Sequence, residues 1–246
     1  MMGSMTVTVG AEERLAADFT RLVTKLAREA IVERRSFSMA IPGGSVLDRL
    51  VSRLVSASID WSRVDLFWCD ERAVPPSDAA SNYGSARRLL LDRLASQGAL
   101  PREHRMRGEV EDAPFAARLA ATDLVATLGD PPSLDLMVMG VGEDGHVCSL
   151  FPGHRALLEL VDRVIVEPAS PKAPPVRLTM TLPVIAAARH VILAAFGSSK
   201  AAAMRVAIED IQSALPVAMA RRLAQRCTIY LDHDAAAMLS HRRSKS

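Results

Sequence analysis

The stretch LDLMVMGVGEDGH, residues 134–146, is the most informative part of the chain for its fold. A short apolar run that stops at glycines is typical of a strand buried on both faces of a parallel sheet. The polar residues after it would lie at the strand's carboxyl end, where open α/β sheets bind their ligands. The stretch therefore predicts an α/β fold with a site near Asp144 and His146.

The same pattern recurs along the chain, with helical spacing between the runs. Further buried strands are predicted at residues 37–41, 64–72, 190–197 and 227–232. Ser45 is predicted to cap a helix, and a short helix is expected after the last strand. Strands that alternate with helices predict a Rossmann-like, doubly wound and mostly parallel sheet with helices on both faces. We expect a single domain over residues 6–240, with flexible termini at residues 1–5 and 241–246.

Composition bounds the class of protein. Of the 246 residues 49% are hydrophobic, which is enough for a large core, and the net charge is only +2. A nucleic-acid partner is not expected, since basic residues are not concentrated in a stripe. Charges interrupt every apolar stretch before it could span a membrane, so no membrane partner is expected either. The three widely spaced cysteines favour reduced thiols in the cytoplasm. We expect a monomer or a weak homo-oligomer.

Polar groups follow four of the predicted strands, and each has an ordinary structural explanation beside a functional one. Gly43, Gly44 and Ser45 could let backbone N–H groups approach an anion, or could serve the turn alone. Asp70 and Arg72 could bind sugar hydroxyls and a phosphate or carboxylate, or could form a solvated ion-pair cluster.

Two further cations stand near the same predicted edge of the sheet. Arg177 lies in the stretch RLTMT and Lys200 in GSSK, directly after a glycine turn. Either side chain could contact a phosphate. A lysine one turn into a helix is also commonly a plain surface residue.

The stretch GEDGH, residues 142–146, leaves several explanations open. Asp144 and His146 are two residues apart, so in an extended loop they point the same way. A zinc site would need further ligands, and Cys148 is the one obvious candidate nearby. Nucleophilic catalysis is poorly supported, because no serine lies in a G-x-S-x-G elbow. A turn with a buried histidine, or a general base that activates water, fits better.

Longer motifs in the chain resemble a known family. GVGEDGHVCSLFPGH closely resembles the signature of 6-phosphogluconolactonases, in which Asp-Gly-His precedes Ser-Leu-Phe-Pro-Gly. WSRVDLFWCDERAVPPSDAASNYGSARRLLL resembles a second block of that family, and MRGE and RLTMTLPVI resemble further motifs. Two departures stand out. Pro42 with Val46 and Leu47 replaces the usual Ser-Gly-Gly-Ser-Thr-Pro context, which removes a hydroxyl, and Glu143 has no assigned role.

Two other functions are alternatives to the lactonase, and both involve a sugar phosphate. Glucosamine-6-phosphate deaminase has the same fold, but carries a catalytic glutamate in a Phe-Asn-Glu-Pro type segment where this chain has the acid-free SLFPG. The deaminase also usually has Asp-Glu-Tyr in place of DER. A non-catalytic sugar-phosphate sensor would need no base, whereas this chain has the histidine and no spare DNA-binding segment. Both comparisons favour the lactonase.

The resemblance implies a reaction and a role for each candidate residue. The reaction is hydrolysis of 6-phospho-D-glucono-1,5-lactone to 6-phosphogluconate in the oxidative pentose phosphate pathway, without metal or cofactor. His146 would be the general base, and Asp144 would orient it or hold a substrate hydroxyl. The implied substrate contacts are Gly43, Gly44, Ser45, Asp70, Arg72 and Lys200, with Arg177 binding phosphate or steadying its loop.

Overall fold

The fold was analysed in a computed structural model that describes residues 3–240. The strands over this range are β1 (Ser4–Val9), β2 (Phe37–Ile41), β3 (Val64–Trp68), β4 (Asp70–Arg72), β5 (Arg102–His104), β6 (Leu136–Gly140), β7 (Val164–Glu167), β8 (Arg177–Met180), β9 (Val191–Ala195) and β10 (Arg226–Leu231). The helices are α1 (Glu12–Arg34), α2 (Gly44–Arg49), α3 (Asn82–Ala86), α4 (Asp92–Ala95), α5 (Ala113–Leu128), α6 (Leu182–Ala187), α7 (Ala201–Glu209) and α8 (Pro216–Leu223).

Shorter helical turns complete the backbone. A π-helical segment, Arg87–Leu91, joins α3 to α4, so the three form one continuous helical stretch. Turns of 3-10 helix span Val51–Ser56, Trp61–Arg63, Arg155–Leu158 and Ser198–Lys200.

The main sheet is parallel and doubly wound, as the sequence predicts. Within residues 3–240 its seven strands lie in the order β1-β10-β9-β6-β2-β3-β5. The chain proceeds from β2 to β3 in one direction and from β6 through β9 to β10 in the other. The strand order therefore reverses between β2 and β6, and the crevice at such a switch point is where doubly wound sheets bind ligands.

Alternating side chains of the sheet feed two separate cores. On β6, Met137 and Met139 belong to one hydrophobic cluster, while Leu136 and Val138 belong to the other. The α1 helix covers the second cluster with a stripe of buried residues at helical spacing, Leu15, Phe19, Val23, Ala27 and Ala30. Two cores, one on each face, are what an almost continuously apolar parallel strand requires.

The prediction of one strand over residues 64–72 is wrong. The chain leaves the main sheet after Trp68 and Asp70–Arg72 forms β4, which pairs in antiparallel fashion with β8. With β7 it makes a small second sheet in the order β4-β8-β7. Cys69 is the junction: its N–H donates to Ile41 O at 2.9 Å, and its carbonyl accepts from Met180 N at 2.9 Å.

Three smaller predictions also need correction. Ser45 does not cap α2, because the helix begins at Gly44 and Gly43 is its N-cap, without a side-chain hydrogen bond. Turns rather than a helix follow β10. Ser4 and Met5, expected in a flexible terminus, pair with β10 as part of β1. The remaining terminal predictions, residues 1–2 and 241–246, lie outside the described residues.

Candidate functional site

A cavity of about 300 Å³ opens at the switch point of the main sheet. The loops after β2, β3, β6 and β9 meet here, and these are four adjacent strands. The segment between β7 and β8 adds a fifth side. Two glycines, Gly43 and Gly44, line the cavity. The polar side chains that line it include those of Ser45, Asp70, Arg72, Asn82, His146, Lys172, Arg177 and Lys200.

His146 and Asp144 form a hydrogen-bonded pair on the loop after β6. Nδ1 of His146 lies 2.5 Å from Oδ1 of Asp144, and the backbone N–H of His146 donates to the same oxygen at 3.2 Å. His146 lines the cavity, whereas Asp144 is not among the lining residues. An ionised Asp144 accepts a hydrogen bond from the Nδ1–H group of His146. Nε2 of the neutral imidazole is then the ring nitrogen that can accept a proton.

Burial sets the protonation of this pair. Burial lowers the pKa of His146 below its ordinary 6.5, and the hydrogen bond and charge of Asp144 oppose that effect. Burial also acts to raise the pKa of Asp144, yet its contacts with His146 outweigh this and leave the pKa lowered. The ring of Phe151 packs against the imidazole at 4.5 Å between centroids. The pair is therefore a neutral imidazole beside an ionised carboxylate near neutral pH.

Asp70 is held in place by two side chains from different parts of the chain. Ser149 Oγ donates to Asp70 Oδ2 at 2.6 Å, and Asn82 Nδ2 donates to Oδ1 at 3.0 Å. Only 5% of Asp70 is exposed, and its remaining accessible surface faces the cavity. A fixed carboxylate of this kind can accept hydrogen bonds from sugar hydroxyls.

Glu71 organises the segment that carries Asn82. Its carboxylate accepts hydrogen bonds from the backbone N–H groups of Arg72, Asn82 and Tyr83, each at 2.7 Å, and from Ser81 Oγ at 3.1 Å. Burial raises the pKa of Glu71, although these backbone donors favour the ionised form. This residue, which the sequence analysis did not assign, fixes the turn before α3.

Arg72 and Lys200 are cations with capacity for a ligand. Arg72 Nη1 donates to Ala80 O at 2.5 Å, but within residues 3–240 its buried Nε has no hydrogen-bond partner. Lys200 is the last residue of the 3-10 turn after β9. Burial lowers the pKa of Lys200, and the positive charge of the nearby Lys172 lowers it further. An anion in the cavity could accept a hydrogen bond from Nε of Arg72 and would offset the repulsion between the ammonium groups of Lys172 and Lys200.

Arg177 is turned towards its own loop. Its Nη2 donates to Lys172 O at 2.9 Å and its Nε donates to Pro174 O at 3.1 Å, while only 3% of the residue is exposed. Arg177 lines the cavity, but these bonds hold the segment of residues 168–176 in shape. Of its two expected roles, steadying the loop has the more direct support.

Glycines make room for the functional groups. A Cβ on Gly43 would lie 1.8 Å from Asn82 Oδ1, and a Cβ on Gly142 would lie 2.0 Å from His146 Nδ1 and 2.5 Å from Asp144 Oδ1. Gly44 has a φ of +64°, which L-residues rarely adopt. Gly43 and Gly142 thus allow side chains to pack closely, and Gly44 allows an unusual backbone conformation. The expected approach of an anion to the N–H groups of Gly43 and Gly44 stays a prediction.

The structure brings together almost all of the residues singled out in the sequence. Eight of the nine line the one cavity, and the ninth, Asp144, contacts His146. Sequence reasoning missed Asn82, Ser149 and Lys172. Asn82 lies in the SNY motif, which could have identified it, whereas Lys172 lies in the proline-rich SPKAPP and gave no signal.

Among residues 3–240 no group of three or more His, Cys, Asp or Glu side chains is arranged to hold a metal ion. In the same range, no helix combines the length and the apolar character needed to cross a bilayer.

Comparison with known proteins gives consistent matches over nearly the whole chain. The model of the family described as glucosamine-6-phosphate isomerases/6-phosphogluconolactonase matches residues 10–229. The chain is 38% identical over 245 residues to the 6-phosphogluconolactonase of Rattus norvegicus, covering 93% of this chain and 91% of the relative. The identity is also 38% over 231 residues with that of Streptomyces coelicolor, covering 88% and 87%. The solved 6-phosphogluconolactonase from Trypanosoma cruzi superposes with a TM-score of 0.83 at 27% identity, covering 97% of both chains.

Proposed function

This chain belongs to the glucosamine-6-phosphate isomerase/6-phosphogluconolactonase family, and we propose that it hydrolyses 6-phospho-D-glucono-1,5-lactone to 6-phospho-D-gluconate, with His146 as general base. The reaction belongs to the oxidative pentose phosphate pathway. The relatives at 38% identity carry the name of this activity, and the acid-free SLFPG segment separates the chain from the deaminases.

The proposed chemistry needs one water and one imidazole. Nε2 of His146 takes a proton from water as the water oxygen bonds to C1 of the lactone. The tetrahedral intermediate then collapses, the bond between C1 and the ring oxygen breaks, and the imidazolium returns the proton to that oxygen. The product acid releases its proton to solvent. No metal or cofactor enters this sequence.

Asp144 acts in this proposal by orienting His146. Its Oδ1 contacts both Nδ1 and the backbone nitrogen of His146, and it does not line the cavity. These contacts favour the tautomer with the proton on Nδ1 and stabilise the imidazolium that forms during the reaction.

The rest of the cavity is suited to a phosphorylated sugar. Asp70 accepts hydrogen bonds from ring hydroxyls, and Arg72 and Lys200 bind the 6-phosphate. Gly43, Gly44 and Ser45 bring backbone close to the ligand at the start of α2. The observation that carries the proposal is that one cavity contains both an aspartate-paired imidazole and two cations, Arg72 and Lys200, that form no ion pair within residues 3–240.

One coupled assay tests the function. Glucose-6-phosphate and its dehydrogenase generate the lactone in place, and formation of 6-phosphogluconate is followed with and without the protein. The proposal expects acceleration over spontaneous opening. No acceleration, together with ammonia release from glucosamine-6-phosphate, would instead identify a deaminase, and binding without either activity would identify a sensor.

We further propose that the protein acts in the cytoplasm. The three cysteines, Cys69, Cys148 and Cys227, are all free, as is usual in a reducing compartment. Separating the cell into its fractions and measuring the lactonase activity of each would test this location.

A further inference from the structure

A lysine of the cavity wall forms an ion pair with a carboxylate beside the cavity. Nζ of Lys172, on the segment between β7 and β8, lies 3.1 Å from Oε1 of Glu143, on the loop after β6. Lys172 lines the cavity together with Lys200. Glu143 is the residue immediately before Asp144, so the pair connects the loop of the proposed base to the segment between β7 and β8.

Hydrogen bonds hold the backbone of Lys172, whereas its side chain is partly exposed to solvent. The buried guanidinium of Arg177 holds the carbonyls of Lys172 and Pro174, and the N–H of Lys172 donates to Ser170 Oγ at 3.1 Å. Ser170 N in turn donates to Pro175 O at 2.8 Å. The side chain of Lys172 remains 38% exposed. The loop thus presents a partly exposed ammonium group from a backbone that is held by hydrogen bonds.

The partner of Lys172 is easily replaced. The side chain of Glu143 is 58% exposed, and ion pairs with this much solvent contact are weak because water and salt screen them. A phosphate carries up to two negative charges and three acceptor oxygens, so it attracts an ammonium group more strongly than one carboxylate does.

The charges around the pair indicate a site for an anion. The hydrogen bond from Lys172, and then the charges of Lys172 and Lys200, lower the pKa of Glu143. Lys172 also contributes to the lowered pKa of Lys200, behind the effect of burial. Two ammonium groups therefore act on the same region, where Glu143 and Asp144 supply negative charge.

We propose that Lys172 is a specificity-determining residue that binds the 6-phosphate, and that Glu143 holds its ammonium group until the phosphate takes the place of the carboxylate. This inference rests on the proposed function and adds to it a residue that selects the phosphorylated substrate. Glu143 then has a definite effect: it competes with the substrate for Lys172 and weakens binding.

The test compares two opposite substitutions at the same ion pair. Lys172→Met should raise KM for the phosphorylated lactone about 10-fold or more, since one charge-assisted contact is lost. The ratio of kcat/KM between this lactone and unphosphorylated glucono-1,5-lactone should fall about as much. Glu143→Gln should lower KM about two- to fivefold, and its effect should shrink when Lys172 is already methionine.

Inorganic phosphate gives a second measurement that does not depend on the lactone's phosphate. Its inhibition constant should rise in Lys172→Met and fall in Glu143→Gln. The matched control is the exposed pair Lys25 and Glu29 on α1, where Lys25→Met and Glu29→Gln should alter neither KM nor phosphate inhibition.

Some outcomes would overturn the inference without touching the proposed function. These are an active Lys172→Met enzyme with unchanged KM and unchanged phosphate inhibition, or a Glu143→Gln enzyme whose KM rises. If the unsubstituted protein does not accelerate lactone hydrolysis, the proposed function itself fails. The two failures are therefore distinguishable.

Discussion

Asp144 holds both the ring and the backbone of His146 through a single oxygen, Oδ1, at 2.5 Å from Nδ1 and 3.2 Å from the backbone nitrogen. A carboxylate that grips the imidazole in this way fixes the ring's orientation and its tautomer together. Substituting both residues should therefore lower kcat little more than substituting His146 alone.

Removing the imidazole should abolish most of the catalysis. His146→Ala is expected to lower kcat by about 10²-fold or more, and Asp144→Asn by about 10²-fold, because proton transfer depends on a correctly oriented base. The coupled lactone assay measures both. His233→Ala, an exposed histidine after β10, is the control and should keep full activity. An unchanged kcat in His146→Ala would remove this residue from the mechanism.

The pH profile should report the competition between burial and Asp144. Activity requires a neutral imidazole, and burial lowers the pKa of His146, so the acid limb of kcat/KM should have its midpoint below pH 6.5. Asp144 acts to raise that pKa. In Asp144→Asn the limb should accordingly move to still lower pH while the plateau falls. A limb that moves to higher pH would contradict the proposed pairing.

The absence of a side chain at Gly142, beside His146 and Asp144, should be essential for activity. In Gly142→Ala the new Cβ would lie 2.0 Å from His146 Nδ1 and 2.5 Å from Asp144 Oδ1, so the ring must move. We expect kcat to fall about 10-fold or more, since general-base catalysis depends on position. Gly10→Ala is the matched control, because its Cβ would meet Arg14 Cδ at an ordinary 3.5 Å. Equal activities of the two variants would show that the pair tolerates displacement.

Arg72 should contribute to substrate affinity more than to the chemical step. Arg72→Met is expected to raise KM for the phosphorylated lactone roughly 10-fold with a smaller change in kcat, if its contact is equally strong in ground and transition states. Steady-state kinetics with the two parameters fitted separately decides this. A fall in kcat with KM unchanged would place Arg72 at the reacting centre instead.

Glu71 should matter for stability. Glu71→Ala would leave one buried and two part-buried backbone N–H groups without their acceptor, and an unsatisfied buried group costs about 1–3 kcal/mol. Urea unfolding should show a loss of about 3 kcal/mol or more relative to the unsubstituted protein. Glu13→Ala, at an exposed position in the first turn of α1, should change stability little. Similar unfolding midpoints for both variants would show that water replaces Glu71 without cost.

The parallel sheet and most of the site were accessible from the sequence because they depend on local signals. Strand β2 is found at the predicted residues 37–41, since a short apolar run that ends at glycines specifies such a strand locally. Residues that follow strands converge by topology alone, which is why His146 and Lys200 could be placed at one edge without coordinates.

The small sheet was not accessible in the same way. Strand β4 has three residues, all charged, and gains its strand conformation only by pairing with β8, more than 100 residues later in the chain. Lys172 was missed for a related reason: its position depends on the grip of Arg177, a tertiary contact without a local pattern.

Cys69 links the two sheets that carry the candidate site through its own backbone. The proposed base follows a strand of the large sheet, whereas Arg72 lies on the small one, and the backbone of Cys69 is hydrogen-bonded to both, through Ile41 and Met180. Arg72 is therefore held relative to the main sheet by the backbone hydrogen bonds of a residue only three positions before it. A substitution that disturbs the backbone at Cys69 should shift the small sheet, and Arg72 with it, relative to the loop of His146.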